Sequence, residues 1–451
     1  MNSIEKPAIP DSVAPEPLVG LAAALRSGSL GLVDYIERTL ARVDAFDSTV
    51  RALLPEPGRR ARLLAEAAAL ESRYPDPAGR PPLYGVLLGV KDIFAADGFE
   101  TRAGSRLPHE LFAMPQGPVV TALRRAGALV LGKTVTTEFA YFAPGPTTNP
   151  WNKKHTPGGS SSGSAAAVAA GFCPLALGTQ TIGSISRPAA YCGIAGWKPS
   201  YERTSRAGVV PFSPSLDHVG LLAPDAASLA LAAPIVSGDW NAGSFATAAE
   251  RFAARRPIIV IPDGRYLAQT EPAALAGFEA AVTRLKATGF SIVRVDAFDD
   301  IEEINARHRR IAAAEMERSH RAWFKDHAKL YAEATRELIV KGQSISDNVL
   351  ELDNGGRGEL RAQLEDLLEE SGASWWLSPA APGPAPKGID ATGSPLMNLP
   401  WTHAGLPTVS LPSGDFVGGL PLGIQFAGPF GSDEALLALC VAIEHYLKWM
   451  D

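Results

Sequence analysis

The chain predicts an α/β fold, a large mixed or mostly parallel sheet covered by helices, and three observations carry that expectation. Apolar residues make up 46% of the 451 positions, enough for a sizeable core. Glycine and proline together reach about 18%, against an average near 12%, which is too much punctuation for a plain helical bundle. Short continuous apolar runs also alternate with stretches of helical periodicity, the pattern of strands buried on both faces between covering helices.

After a polar, proline-bearing start, Leu32, Ile36, Leu40 and Val43 fall at helical spacing, with Asp34, Glu37, Arg38 and Asp44 on the other face. Residues 59–73 give a second helix, and both read as outer helices. Leu83 to Val90, ended by Lys91, reads as a buried strand. Residues 119–125 read as a helix and 128–131 as another short strand. From Thr156 to Pro199 the order is Gly-Ser loop, alanine-rich helix at 164–170, apolar strand at 174–178 and second Gly-Ser loop. Strand 258–261, a helix carrying Leu275, Phe278, Val282 and Leu285, and strand 292–295 repeat the alternation. Ile301 to Glu370 is charged and helical throughout. His308, His320 and His327 lie there and read as surface residues, since no carboxylate or cysteine accompanies them at ligand spacing. Strands at 408–411 and 422–427 and a helix from Asp433 to Lys448 close the chain. The expected organisation is an N-terminal helical segment over 1–80 packed on a main domain over 81–451, with 301–370 a variable helical insertion.

Composition narrows the partners. A net charge of −6 without long basic runs lacks the electrostatic footprint of nucleic-acid binding. The N-terminal stretch has no apolar core of signal-peptide length, and the run from Ala165 to Gly178 is broken by Gly171 and Pro174 and too short to span a bilayer. Cys173, Cys192 and Cys440 are odd in number and lack metal-like spacing, which fits buried thiols in a reduced, cytoplasmic setting. No metal cluster or dinucleotide fingerprint suggests a cofactor.

Two motif matches fail on physical grounds. Gly127 to Thr134 fits the phosphate-loop pattern, but a helix precedes Gly127 and the residues between the glycines are themselves a strand. Gly159-Ser-Ser161-Ser-Gly163 fits the nucleophile elbow, yet the residues before it, Asn149 to Pro157, form a loop rather than a strand. Its would-be partners Asp217 and His218 are adjacent and diverge.

A third constellation survives. Gly158 to Gly163 opens a helix of about eight residues, which advances about 12 Å, and a strand of five or six residues returns a comparable distance. The two Gly-Ser loops therefore meet, and Ser160 and Ser184 become neighbours. Small residues there allow close backbone approach, and consecutive N–H groups can face an anion. A serine nucleophile needs a base, and no histidine is well placed. Lys91 is the candidate, at the end of an apolar run where burial disfavours its charged form.

These segments resemble the amidase signature family. The resemblance lies in Gly158 to Gly171, Pro174 to Ser184 and Pro188 to Pro199, joined by Gly85 to Asp92, Ser215 to Gly220, Gly405 to Pro412 and Gly419 to Gln425. It runs from about Leu32 to the end and is weakest between Ala242 and Leu377. It implies the amidase signature fold, a large mixed sheet with helices on both faces, and a Ser, cis-Ser, Lys triad. Ser184 is then similar to the nucleophile, Ser160 to the bridging serine preceded by a cis peptide, and Lys91 to the ultimate base. The N–H groups of Thr181, Ile182, Gly183 and Ser184 would form the oxyanion hole, with Ser161 and Arg187 in support. Three departures stand out: Gln180 for Asp, Ser186 for Arg, and Ile182 for Gly. The first two compensate, Arg187 standing one residue later, and Ile182 implies a reshaped acyl pocket.

The function so implied is hydrolysis of an amide carbon–nitrogen bond through an acyl-enzyme. Carbamate and ester hydrolysis are alternatives by the same chemistry, and the glutaminase-type A component of an amidotransferase is another. A non-catalytic amide-binding scaffold is suggested by Ile182 alone. A small-molecule amide or carbamate is the expected substrate and a homodimer the assembly considered. The segment 301–370 and the loop from Pro379 to Pro400 are expected to wall the pockets, with Trp375, Trp376 and Trp401 as candidate lining.

Overall fold

The computed structural model describes residues 7–447. Ten strands are present among them: β1 (Leu87–Lys91), β2 (Leu129–Thr134), β3 (Leu175–Gln180), β4 (Ala195–Lys198), β5 (His218–Ala223), β6 (Ile258–Asp263), β7 (Ser291–Asp296), β8 (Trp375–Pro379), β9 (Thr408–Val417) and β10 (Leu420–Ala427). They form one sheet in the order β2-β1-β3-β5-β4-β9-β10-β8-β6-β7. The sheet is mixed: β1 runs parallel to β2 and β3, β6 parallel to β7 and β8, and the pairings between these two groups are antiparallel. Every residue of β1, β2, β3, β4, β5 and β8 is buried, which requires cover on both faces of the sheet.

That cover comes from helices α1 (Leu18–Ser27), α2 (Leu32–Val50), α3 (Arg59–Arg73), α4 (Pro118–Arg125), α5 (Ser162–Ala169), α6 (Ser186–Cys192) and α7 (Ala226–Val236). Further along are α8 (Ala242–Ala254), α9 (Pro272–Ala287), α10 (Ile301–His327), α11 (Glu333–Gly342), α12 (Asp347–Glu370), α13 (Leu399–His403) and α14 (Asp433–Ile443). Helix α5 shows why the central segment is built from small residues. All eight of its residues are buried, and a Cβ at Gly163 would stand 2.3 Å from both the Ala52 carbonyl oxygen and the Val135 nitrogen. Only glycine lets the helix lie that close to neighbouring backbone.

Several expectations are corrected. Strands β4, β5 and β8 and helix α1 add to the elements expected from periodicity, and β9 with β10 forms a longer hairpin than the apolar runs suggest, turning at Gly418 and Gly419. The closing helix ends at Ile443 and gives way to a 3-10 turn at Glu444–Tyr446; Lys448, its expected end, lies outside the described residues. His308 and His320 are not surface residues. Both are fully buried, because α10 packs a wide face that takes in Ile304, His308, Ile311 and Glu315 at helical spacing. The His308 and His403 rings lie 5.5 Å apart and tilted to one another, and His320 sits among Phe139, Trp323 and Tyr331. His327 is half-buried. Trp376 and Trp401 are core residues 5.7 Å apart. Lys133, the lysine of the rejected phosphate loop, lies in β2 and pairs with Asp92 at 2.8 Å. All three cysteines are free and buried.

Candidate active site

Strand β1 carries its apolar run into Lys91, whose side chain has no exposed surface. The Nζ atom lies 2.7 Å from Ser160 Oγ, 3.1 Å from Ser161 Oγ and 2.7 Å from Thr179 Oγ1. Burial holds this amine well below the usual lysine range, with only the charge of Asp217 opposing the shift. Asp92, next in sequence, is committed to Lys133 and offers Lys91 no counter-charge.

The Gly-Ser loop reaches Lys91 from the opposite side. Its Gly159–Ser160 peptide is cis, and the Ser160 carbonyl accepts the Thr137 N–H. Ser161 is bound into β3 from both directions: its hydroxyl lies 3.3 Å from both the nitrogen and the carbonyl oxygen of Thr179. Thr179 is the partner that motif reading misses. It lies within the matching segment, but nothing in the sequence indicates that its hydroxyl turns toward Lys91.

Beyond β3 the chain forms the second Gly-Ser loop. No loop or side-chain hydrogen bond takes up the N–H groups of Thr181, Ile182, Gly183 or Ser184 among the described residues. The loop is nevertheless pinned. Gln180 Oε1 accepts from the nitrogens of Ile185 and Ser186 at 2.8 and 2.9 Å, and its Nε2 donates to Thr402 Oγ1 at 3.0 Å. Thr402 Oγ1 in turn donates to the Ile182 carbonyl at 2.8 Å. Gln180 thus offers the loop both an acceptor and a donor, and Ser186 needs no charge. Thr181 Oγ1 donates to Asp217 Oδ1 at 2.5 Å; burial pushes this carboxyl up to about 6, against the hydrogen bonds from Thr181, Phe212 and Ser213.

Ser184 is 6% exposed, and its hydroxyl makes no hydrogen bond among the described residues, with Ser160 or any other group. The structure therefore joins Lys91 to Ser160 and Ser161 directly. Ser184 stands apart from that bonded set, on a loop whose following helix touches the first: Arg187 Nη2 donates to the Gly159 carbonyl at 2.5 Å and to Thr392 Oγ1 at 3.1 Å. Arg187 is almost completely buried, and burial pulls it down to about 10. Catalytic hydrogen bonds are often long without substrate and tighten in the complex.

Ile182 does not take a positive φ, so its branched side chain adds no backbone strain. It lines a cavity of about 380 Å³ that also takes in Tyr141, Phe142 and Leu399. Helices α10 and α11 and the loop before α13 wall this cavity, and α12 does not reach it. The tryptophans do not line it; Trp375 lines a separate cavity beside α8.

Comparison with known proteins places the chain in a family and a fold. A family model described as Amidase matches residues 34–437. The A component of the glutamyl-tRNA(Gln) amidotransferase of Thermus thermophilus is 33% identical over 470 residues, covering 94% of this chain and 96% of its own. The component of the same name from Synechococcus sp. is 30% identical over 481 residues, covering 96% and 97%. Among solved structures, one described as an amidase superimposes with a TM-score of 0.83 at 30% identity, covering 95% of this chain and 99% of the other. The peptide amidase from Stenotrophomonas maltophilia gives a TM-score of 0.81 at 26% identity, covering 96% and 97%.

Proposed function

The chain belongs to the Amidase family, and from that premise we propose that it is a stand-alone serine hydrolase cleaving an amide carbon–nitrogen bond through an acyl-enzyme. Ser184 attacks the carbonyl carbon. Its proton passes to Ser160, whose own proton moves to neutral Lys91. The tetrahedral oxyanion is met by the N–H groups of Thr181, Ile182, Gly183 and Ser184, where one donor is worth roughly 3 kcal/mol of barrier. Collapse breaks the carbon–nitrogen bond, and the leaving nitrogen takes the proton back through Ser160. Water then repeats the sequence on the ester, releasing the acid and restoring Ser184. Ser161 and Arg187 hold the Ser160 loop in position.

The observation that carries this reading is the buried amine of Lys91, 2.7 Å from Ser160 Oγ with no acid beside it. A lysine so desolvated can be neutral at working pH and accept a proton. The substrate is read as a small amide or carbamate, the setting as cytoplasmic, and the assembly as compatible with a homodimer. Among the described residues no helix is long and apolar enough to cross a membrane. The names of the curated relatives favour a second reading, a glutaminase-type component of a transamidating complex. Gln180, Ile182 and Ser186 weigh against it, as does the absence of a basic stretch in the sequence. Product release from a panel of aliphatic amides, anilides, carbamates and glutamine tests both. Turnover of simple amides by the isolated chain is expected. Turnover of glutamine alone, and only with a co-purifying partner, would overturn the stand-alone reading.

A further inference from the structure

The cavity at Ile182 reaches the proposed oxyanion loop from one side. Pro395, in its wall, also crowds Gly183, where an added Cβ would stand 3.0 Å from the proline Cβ. Whatever fills the cavity therefore lies close to the residue preceding Ser184. Its volume, about 380 Å³, is within the range of small-molecule sites. The inner wall is apolar and aromatic, with Tyr141 and Phe142 in edge contact at 4.8 Å and Leu399 at the start of α13. The outer wall differs. Helix α11 turns Ala334, Glu337, Leu338 and Lys341 toward the cavity at intervals of three and four residues, and α10 adds Arg309 and Ala312.

The charges on this wall are unspent. Arg310 and Arg318, on the same helix as Arg309, are paired with carboxylates, whereas neither Arg309 nor Lys341 has an acid within ion-pair distance among the described residues. Glu337 and Lys341 stand at the spacing that favours a helical ion pair but do not form one. Two cations and a single anion, all exposed, thus line a cavity whose remaining wall is mostly apolar.

We propose that this cavity selects an amphiphilic substrate, one arm of which is aryl or branched alkyl and ends in a carboxylate held by Arg309 and Lys341. The assignment rests on Ser184 being the nucleophile. Tyr141, Phe142 and Leu399 supply the apolar contact, the cations orient the arm, and Glu337 limits the attraction to a carboxylate that reaches past it. Exposed charges of this kind act at the level of a few-fold per pair.

The test uses three isosteric aryl-alkyl amides whose distal end is a carboxylate, a methyl group or a trimethylammonium. The carboxylate member should have the highest kcat/KM, by roughly fivefold over the neutral one. This ratio should fall at high salt, collapse in the Arg309→Gln/Lys341→Gln enzyme, and rise in Glu337→Gln. Calorimetric titration of Ser184→Ala protein with the same compounds reads binding without chemistry. The carboxylate preference in binding, with no hydrolysis by the native enzyme, would uphold the pocket and sink the proposed function. Hydrolysis with equal or cation-favouring kinetics would sink the pocket and leave the function standing. Absence of binding by all three compounds would overturn the pocket.

Discussion

Two lysines end strands of this sheet, and both are fully buried: Lys91 closes β1, beside the edge strand, and Lys198 closes β4, near the centre. Lys198 meets backbone carbonyls, those of Pro199 and Leu406, with Asp433 pulling its pKa upward against burial, which brings it down to about 7. Lys91 meets three hydroxyls and no close acid. A carbonyl can only accept, so each proton Lys198 gives up removes a donor from its partners. A hydroxyl can turn and donate, so Lys91 can lose its proton without stranding a neighbour. The same residue type, equally buried at the end of a strand, is a structural donor in one region and a candidate base in the other. The partner atoms decide which.

The sharpest way to break this comparison is Lys91→Met, expected to lower kcat by roughly 10²- to 10⁴-fold as a general base is lost; a variant that kept most of its activity would remove Lys91 from the chemistry. In the native enzyme the sign of the pH dependence follows from the same group. Protonation disables the base, so activity should rise with pH through one ionisation below the usual lysine range and then level off. Gly183→Ala comes next. Its Cβ would stand 2.4 Å from Asn398 Oδ1, whose amide is held by Ala380 and Gln425, so either that side chain or the loop must shift; a loop shift should cost about 10²-fold in kcat if those N–H groups bind the oxyanion. Ser161→Ala should cost less, on the order of tenfold, because Ser161 positions the loop through Thr179. A loss equal to that of Ser184→Ala would instead favour the nucleophile-elbow reading.

Lys198→Met should have the smallest effect on turnover and act on stability, by about 1–3 kcal/mol for the carbonyls it leaves without a donor. Its pH signature is specific. A lysine whose folded pKa is depressed binds fewer protons folded than unfolded between about 7 and the ordinary 10.5, so native stability gains from this group as pH rises through that window. Denaturant titrations of the variant should lack that gain, and an unchanged slope would show that Lys198 does not titrate there.

The contact of Lys91 with Ser160 was more legible in the sequence than the order of the strands in the sheet. The return of a helix and a strand of similar length predicts that the loops of Ser160 and Ser184 meet, and the structure links those loops through Arg187 and the Gly159 carbonyl rather than through the two serines; Lys91 is legible as the end of a buried apolar run. Thr179, Gln180 and Thr402 were out of reach as partners, since their bonds depend on side-chain direction and on a helix more than 200 residues away. Strands β4 and β8 are four and five residues long, and their burial comes from neighbours distant in sequence. His308 misled because its charged neighbours in sequence lie on the other faces of a helix that is packed over a wide face. The excess of glycine proved local in part: eight glycines fall between Thr156 and Gly196, where backbone approaches backbone.

The central claim is that Ser184 is the nucleophile served by Lys91 through Ser160. Reaction with a fluorophosphonate followed by peptide mapping tests it most directly. A single adduct on Ser184, slowed strongly in Lys91→Met, is the predicted result. An adduct on Ser160 or Ser161, or no adduct on folded and otherwise competent protein, would contradict the account.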